Sequence, residues 1–465
     1  MFRVIVKREL LHNLYSLRFL ISLALVIAVF AAGAASFAGS SAANQAKYRE
    51  TQSQFQETMR GLAGQDATDL AVRRQTYTLK PRSDGFISDA KEKYLPNAIV
   101  FSAWNVFSFQ NKSGTANPFL KRYDELSWTF IAALIVSFIT LLFTFDAVSG
   151  EKESKTLALS LANPVSRGTL LVGKLASAVL SVMAIVGTGL LTSLIIIIVL
   201  GPEGLTTALV GEVMGFLAVT TLLAATIAAF GLLSSVIAPS SNVSLLLALA
   251  FWLAFAVIVP NSSVFVAKNL FPIESSEAVQ KKINAAFDDL NKAAPPGSWM
   301  MNSGNPFLPQ HELRANLQMK RLEAEKGIRD AYYQTMFRQF DRTRLVTALS
   351  PVSLFEVLAE AVSGGGYLRF RKAWGDMQIY QGQFLSFFKS LDAADKDSPH
   401  WYNPSENVAT TRKPVAFERV PQFVEKPMSF VERAGPALKF LVINIFVASA
   451  VFLLAFVGFV RYDVR

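Results

Sequence analysis

The sequence predicts a mainly α-helical, polytopic membrane protein, with six transmembrane helices and a large α-rich extracytoplasmic domain built from two insertions. Three observations lead there. Of 465 residues, 52% are hydrophobic and only 17% charged, a balance too apolar for an ordinary soluble chain of this size. Six apolar runs rich in Leu, Ile, Val, Phe and Ala are each long enough for a helix to cross a hydrocarbon core about 30 Å thick. The charged residues collect between those runs, in two long segments and a few short loops.

The elements follow in order. In residues 1–18, Phe2, Val6, Leu10, Leu14 and Leu17 recur at helical spacing among Arg3, Lys7 and Arg8. This suits a cytoplasmic amphipathic helix lying in the membrane interface and, equally, plain flanking of the first span. Span one covers 19–39 and runs past the length of a cleavable signal. Segment 40–125 is extracytoplasmic and opens as a helix continuing outward from that span. Spans two to five cover 126–145, 175–200, 208–237 and 243–260, with a charged cytoplasmic loop at 146–174. Segment 261–437 is extracytoplasmic. Within it, a helix opens after Pro309 and closes before Pro351, with Ile328, Tyr332, Met336 and Phe340 forming an apolar stripe every four residues. "AVSGGGYLRF" reads as a hinge-like break, and Asp392–Lys426 is loop-rich. Span six covers 438–460, and 461–465 is a cytoplasmic tail.

Orientation rests on the short loops, because long segments translocate whatever their charge. Arg3, Lys7, Arg8 and Arg18 at the N-terminus, Lys152, Lys155, Arg167 and Lys174 in the charged loop, and Arg461 and Arg465 in the tail fall on one side if there are six spans. The short loop Gly201–Thr207 has no basic residue. Both termini are therefore expected in the cytoplasm, with the chain multi-pass in a bacterial cytoplasmic membrane. The excess of 45 basic over 35 acidic residues is spread over several loops, which speaks for topology rather than a clustered nucleic-acid-binding face. With no cysteine, disulfides and thiolate chemistry are excluded.

Catalytic signals are weak. Gly168-Thr-Leu-Leu-Val-Gly173-Lys174 is one residue short of a phosphate-binding loop: position 175 is Leu, where Ser or Thr would hold Mg²⁺, and a transmembrane helix follows rather than a soluble α/β unit. Lys174 reads better as a boundary lysine of span three. His311-Glu-Leu-Arg-Ala315 lacks the second histidine of a zinc-protease helix. No catalytic, cofactor or metal residue is therefore expected, and the chain is not expected to be an enzyme. Coupled carriers keep ionisable groups inside their spans, whereas here Glu212, near the outer end of span four, is the candidate, read as interfacial before translocating.

The charged loop carries the remaining signal. "DAVSGEKESKTLALSLANPVSR" (146–167), followed by Gly173-Lys174, offers a short charged helix able to dock into a cleft on a soluble partner. This stretch resembles the cytoplasmic signature of type-2 ABC transporter permeases, in particular the branch of the multicopper-enzyme-maturation and gliding-type permeases. "LSPVSLFEVLAEAVSGGG", the closing "RYDVR" and the basic first 20 residues agree with it. One departure is Ser154-Lys155, where relatives often carry Arg-Gly. The resemblance implies a permease subunit without its own nucleotide-binding domain, binding no cofactor itself, with ATP and Mg²⁺ in separate cytoplasmic ABC ATPase subunits. It further implies a second permease subunit, identical or sister, in the lipid bilayer; the size of the outer segments adds an extracytoplasmic protein partner. Nucleic acid is not expected as a partner. Gly150–Pro164 would be the coupling helix, with Asp146, Gly150, Glu151, Glu153, Asn163, Pro164 and Arg167 as ATPase-coupling residues. Glu151 and Glu153 are its expected polar contacts, and Gly150 would tolerate Ala poorly if it sits at φ > 0. The function implied is ATP-driven export; the alternative is a non-transporting complex in which ATP drives conformational work by the outer domain.

Overall fold

The computed structural model describes residues 2–89, 95–110, 126–162, 165–201, 206–298, 309–400 and 411–462. Helix α1 (Phe2–Leu14) stops at Ser16, whose hydroxyl donates to the Asn13 carbonyl and accepts from the Phe19 N–H, starting α2 (Leu17–Gln65). At 1.5 Å per residue α2 is roughly 70 Å long, more than twice a hydrocarbon core of about 30 Å. It therefore leaves the bundle without a break and becomes a wall of the outer domain. Helix α3 (Ala67–Val72) leads to an antiparallel sheet of β1 (Gln75–Thr78), β2 (Ala98–Phe101) and β3 (Ser108–Gln110) in that order, with Gln75 opposite Phe101 and Ala98 opposite Gln110.

Helix α4 (Trp128–Leu142) holds the centre of the bundle, with Trp128, Ile131 and Val136 fully buried. At roughly 22 Å it is shorter than the expected second span. A wide π turn at Ala132–Val136 interrupts it, and the Ser137 hydroxyl there accepts from the Trp252 indole N–H at 2.9 Å. Turns carry the chain through 143–148 into α5 (Ser149–Glu153) and α6 (Leu157–Ala162). Three long apolar helices follow: α7 (Arg167–Leu200), capped by Ser166, α8 (Thr207–Ile237), capped by Thr206, and α9 (Ser241–Asn261). Outer helices are α10 (Ser263–Leu270), α11 (Ser276–Lys292) and α12 (Pro309–Thr347). Then come α13 (Pro351–Ser363), α14 (Gly366–Ala394) and α15 (Phe430–Arg461), the last opened by a Ser429/Glu432 capping box. Five helices, α2, α7, α8, α9 and α15, are long and apolar enough to cross a bilayer.

Two large apolar cores dominate among the described residues. In the bundle, Val26 and Phe30 of α2, Val182 and Val186 of α7, and Phe216 and Leu223 of α8 close around α4. In the outer domain, Phe55 and Met59 of α2 meet Tyr77, Ile99 and Phe101 of the sheet, Phe337 of α12, and Phe370, Trp374 and Phe384 of α14.

Two expectations need correction. The apolar face of α12 centres on Phe337, 2% exposed, whereas Phe340 of the expected stripe is 39% exposed. Adjacent Tyr332 and Tyr333 permit two stripes one residue apart, and the rings of Tyr367, Phe370 and Trp374 opposite select the second. Helix α13, assigned to the outer segment, instead lies in the bundle: Val352, Phe355 and Ala359 join its core, while Leu354, Leu358 and Ala361 pack with Ala437 and Phe440 of α15.

Candidate functional site

The loop joining α4 to α7 gathers the ends of the bundle around itself. Asp146 pairs with Arg18 at 2.7 Å, and the Arg18 guanidinium also covers the Phe145 ring. Ser235 of α8 accepts through its hydroxyl from the Val148 and Ser149 N–H groups at 2.8 and 2.9 Å. Lys152 donates to the carbonyls of Val236 and Ala238, where α8 ends, and its ammonium lies 4.3 Å from the centre of the Tyr462 ring. A cation there complements the negative end of the helix dipole, and partial burial pushes its pKa down.

The expected coupling residues are engaged within the chain. Glu151 accepts from Lys174 at 2.7 Å, and Lys174 also reaches Glu9 of α1 at 3.4 Å. Glu153 accepts from the Ser241 N–H at 3.2 Å, at the positive N-terminus of α9. The hydrogen bonds from Ser241, side chain first and then backbone, hold its carboxyl below the usual range. Arg167 donates to the carbonyls of Phe459, Val460 and Tyr462, capping the C-terminal end of α15. Asn163 and Pro164 lie outside the described residues.

This geometry adds detail to two readings and changes a third. Lys174, expected as a boundary lysine of span three, is 4% exposed and bonded to two carboxylates. The near-Walker glycines belong to a continuous helix, and Gly173 is where α1 presses closest, since a Cβ there would meet Ile5 Cγ2 at 2.7 Å. Gly150 is helical, not at positive φ, and a Cβ would meet only ordinary contacts at 3.7 Å. Among the described residues of this loop, Lys155 is left-handed, at φ 58°. Among the described residues between α4 and α7, Glu153–Thr156, Ala158, Leu159, Ala162 and Ser166 are exposed. Glu9 and Ser235, which the sequence reading passed over, and Arg18, read only for topology, carry much of the bonding. The basic cluster at residues 3–18 was the only signal for Glu9 and Arg18, and no local pattern marks Ser235.

A second constellation lies where the outer domain meets the bundle. Glu212 of α8 pairs with Arg433 of α15 at 3.2 Å, and Arg433 also donates to the Val362 carbonyl. Arg82 pairs with Asp84 at 2.5 Å and donates to the Ser363 carbonyl at 2.8 Å. The turn receiving both arginines is Gly364, at φ +68°, followed by Gly366 at φ +60°, the expected hinge. Above it Arg369 grips both oxygens of Glu425 and the Lys80 carbonyl, and Lys372 pairs with Asp376 at 3.0 Å. These residues line a cavity of about 650 Å³. Among the described residues no cluster of His, Asp or Glu is suited to a metal ion.

A bundle of long apolar helices bearing an outer domain, with a bonded charged loop at its other end, defines a multi-pass helical membrane protein. The model of the ABC-2 family transporter proteins matches residues 3–464, and the chain belongs to that family. Members are membrane permease components of ABC systems and not themselves catalytic, so association with the membrane and with an ABC ATPase subunit follows. Comparison with curated proteins finds no match.

Proposed function

We propose that the chain is the membrane-spanning permease subunit of an ATP-driven exporter in a bacterial cytoplasmic membrane. It works as a dimer of permeases, identical or sister, with separate ATPase subunits that supply ATP and Mg²⁺. The observation that carries this reading is the bonding of loop 146–174 to the ends of α1, α7, α8, α9 and α15. A push on a loop so connected reaches every one of those helices, which is what coupling to a moving ATPase requires. In this reading the loop and both termini face the cytoplasm, and Gly150–Pro164 is the docking segment. Glu151, half-buried against Lys174, and Glu153, exposed but bonded to Ser241, pass force to the helices, while the exposed Lys155, Thr156 and Leu159 meet the partner. Glu212 serves the junction with the outer domain rather than a translocation path, because Arg433 already neutralises it.

The test is co-purification with the cognate ATPase. Leu159→Glu, at a side chain 70% exposed, is expected to leave the thermal midpoint unchanged and to lose the ATPase during purification. Full assembly and full stimulated ATP hydrolysis in that variant would remove the loop as the docking site.

One observation favours the second reading, conformational work on an extracytoplasmic partner. Helix α2 is continuous from the bundle into the outer core, and α13 enters the bundle and leaves it again through the Gly364–Gly366 turn. One continuous helix and one hinged connection would let bundle movement displace the outer domain. ATP-dependent accumulation in sealed vesicles separates the two, being expected for the exporter and not for its rival.

A further inference from the structure

The cavity at the junction has features that the export reading does not use. Four carboxylates line it, and each already has a cation: Asp84 with Arg82, Glu212 with Arg433, Asp376 with Lys372, and Glu425 with Arg369. Two lining ammonium groups, Lys80 and Lys426, have no partner among the described residues. Their segments are tied together, because Arg369 binds both the Lys80 carbonyl and the side chain of Glu425, the neighbour of Lys426. The charge left over is positive, so the site attracts an anion.

Its other wall is apolar. Phe86, Ile197, Leu209 and Met428 line it. Ile197 and Leu209 lie at the ends of α7 and α8, where Val199, Leu200, Val210 and Met214 are exposed, large and apolar, as lipid-facing residues are. The cavity therefore adjoins the hydrocarbon surface on one side and the two lysines on the other. A volume of about 650 Å³ suits a small molecule or a headgroup with the start of its chains, not a whole lipid. A free inorganic anion would leave the apolar wall unused, and a neutral lipid would leave the ammonium groups unpaired.

We propose that this cavity binds an anionic amphiphile, with its headgroup at Lys80 and Lys426 and its chains leaving along Ile197, Ala208 and Leu209. The assignment does not depend on the chain being an exporter.

The test uses the full-length protein purified in neutral detergent, with phosphatidylglycerol, phosphatidylcholine and inorganic phosphate as probes and bound lipid counted by native mass spectrometry. Phosphatidylglycerol is expected to bind saturably and more tightly than phosphatidylcholine. Lys80→Gln/Lys426→Gln is expected to weaken it about tenfold, as loss of two partly exposed charge-assisted contacts predicts. Both side chains are exposed, so the thermal midpoint should not move. Ala208→Trp, on the apolar side, should weaken phosphatidylglycerol, and inorganic phosphate at the concentration of the lipid should not compete with it. Equal phosphatidylglycerol binding by the lysine variant, or equal binding of phosphatidylcholine by the wild type, overturns the proposal. Competition by inorganic phosphate at the concentration of the lipid, with Ala208→Trp silent, would reassign the site to a free anion.

Discussion

Lys174 stands in a helix of the bundle between Glu9 and Glu151, its side chain 3% exposed and theirs 21% and 22%. Removing an ammonium from such a place leaves carboxylates that can reach only partial solvation. Lys174→Met is therefore expected to cost about 2–3 kcal/mol, below the usual penalty for a fully buried pair, read as a lower thermal midpoint. Glu151→Gln in the same chain should recover part of that loss, a coupling that a double-mutant cycle detects and a phosphate-binding lysine would not show. Lys155 poses the opposite case. At φ 58° its side chain crowds the backbone, at a cost of about 1 kcal/mol that glycine avoids. Lys155→Gly should raise stability by up to about 1 kcal/mol in denaturant unfolding. In the outer domain, Lys413 and then Thr411 hold the carboxyl of Asp395 at about 2, below its ordinary 3.8. A depressed acid stabilises fully above its ordinary value and loses that contribution as pH falls through the folded one. Protection of the Asp395–Lys413 contact, followed by hydrogen exchange, should therefore decline between pH 3.8 and about 2.

Among the elements, Gly231 of α8 faces Thr144 in the turns directly after α4, and a Cβ at 231 would overlap the Thr144 hydroxyl. Because α4 is enclosed, it has little room to retreat. Gly231→Ala should cost about 1–3 kcal/mol, the range for overpacking a filled core, and Thr144→Ser should relieve little, since the hydroxyl remains. Gly150→Ala, with only ordinary contacts, should be neutral within about 0.5 kcal/mol. Measuring the two alanine variants side by side checks which glycine the structure requires. Helix α13 also depends on a buried charge: Glu360 pairs with Arg344 of α12 and accepts from the Leu368 N–H at 3.1 Å. It thus ties the wedge in the bundle to both outer helices. Periodicity could show that 351–363 is apolar, but not which core would bury it, since either offers an apolar surface.

At the scale of the whole molecule, the sidedness proposed from the basic loops has a direct check, because the chain has no cysteine. Single cysteines at Gln54, Glu323 and Ser154 replace exposed residues. The first two are expected to react with an impermeant thiol reagent added outside intact spheroplasts, and Ser154→Cys only after the membrane is opened. Labelling of position 154 from outside would invert the topology and with it the docking reading. The long α2 makes a further demand, since a helix of roughly 70 Å must carry Phe30 and Met59 in different cores. Tilting of the bundle against the outer domain would have to bend α2 or move both together.

The sequence by itself determined that the chain is helical and crosses a membrane, because the burial of about 20 consecutive apolar residues is decided locally, residue by residue, by transfer from water. It pointed to the family through the signature at 146–167, but the expected spans began at 175, 208 and 438, whereas the helices there start earlier, behind caps at Ser166, Thr206 and Ser429. Only the tertiary structure decided what the charges in that signature touch. Glu151, Glu153 and Arg167 look alike in sequence whether they face a partner or their own chain. Ion pairing is set by distance in space, and Glu9 and Lys174 stand 165 positions apart. The junction cavity was illegible for the same reason: its walls come from a strand, the hinge, two connecting segments and the ends of four helices, α7, α8, α14 and α15, brought together by packing that no local pattern specifies.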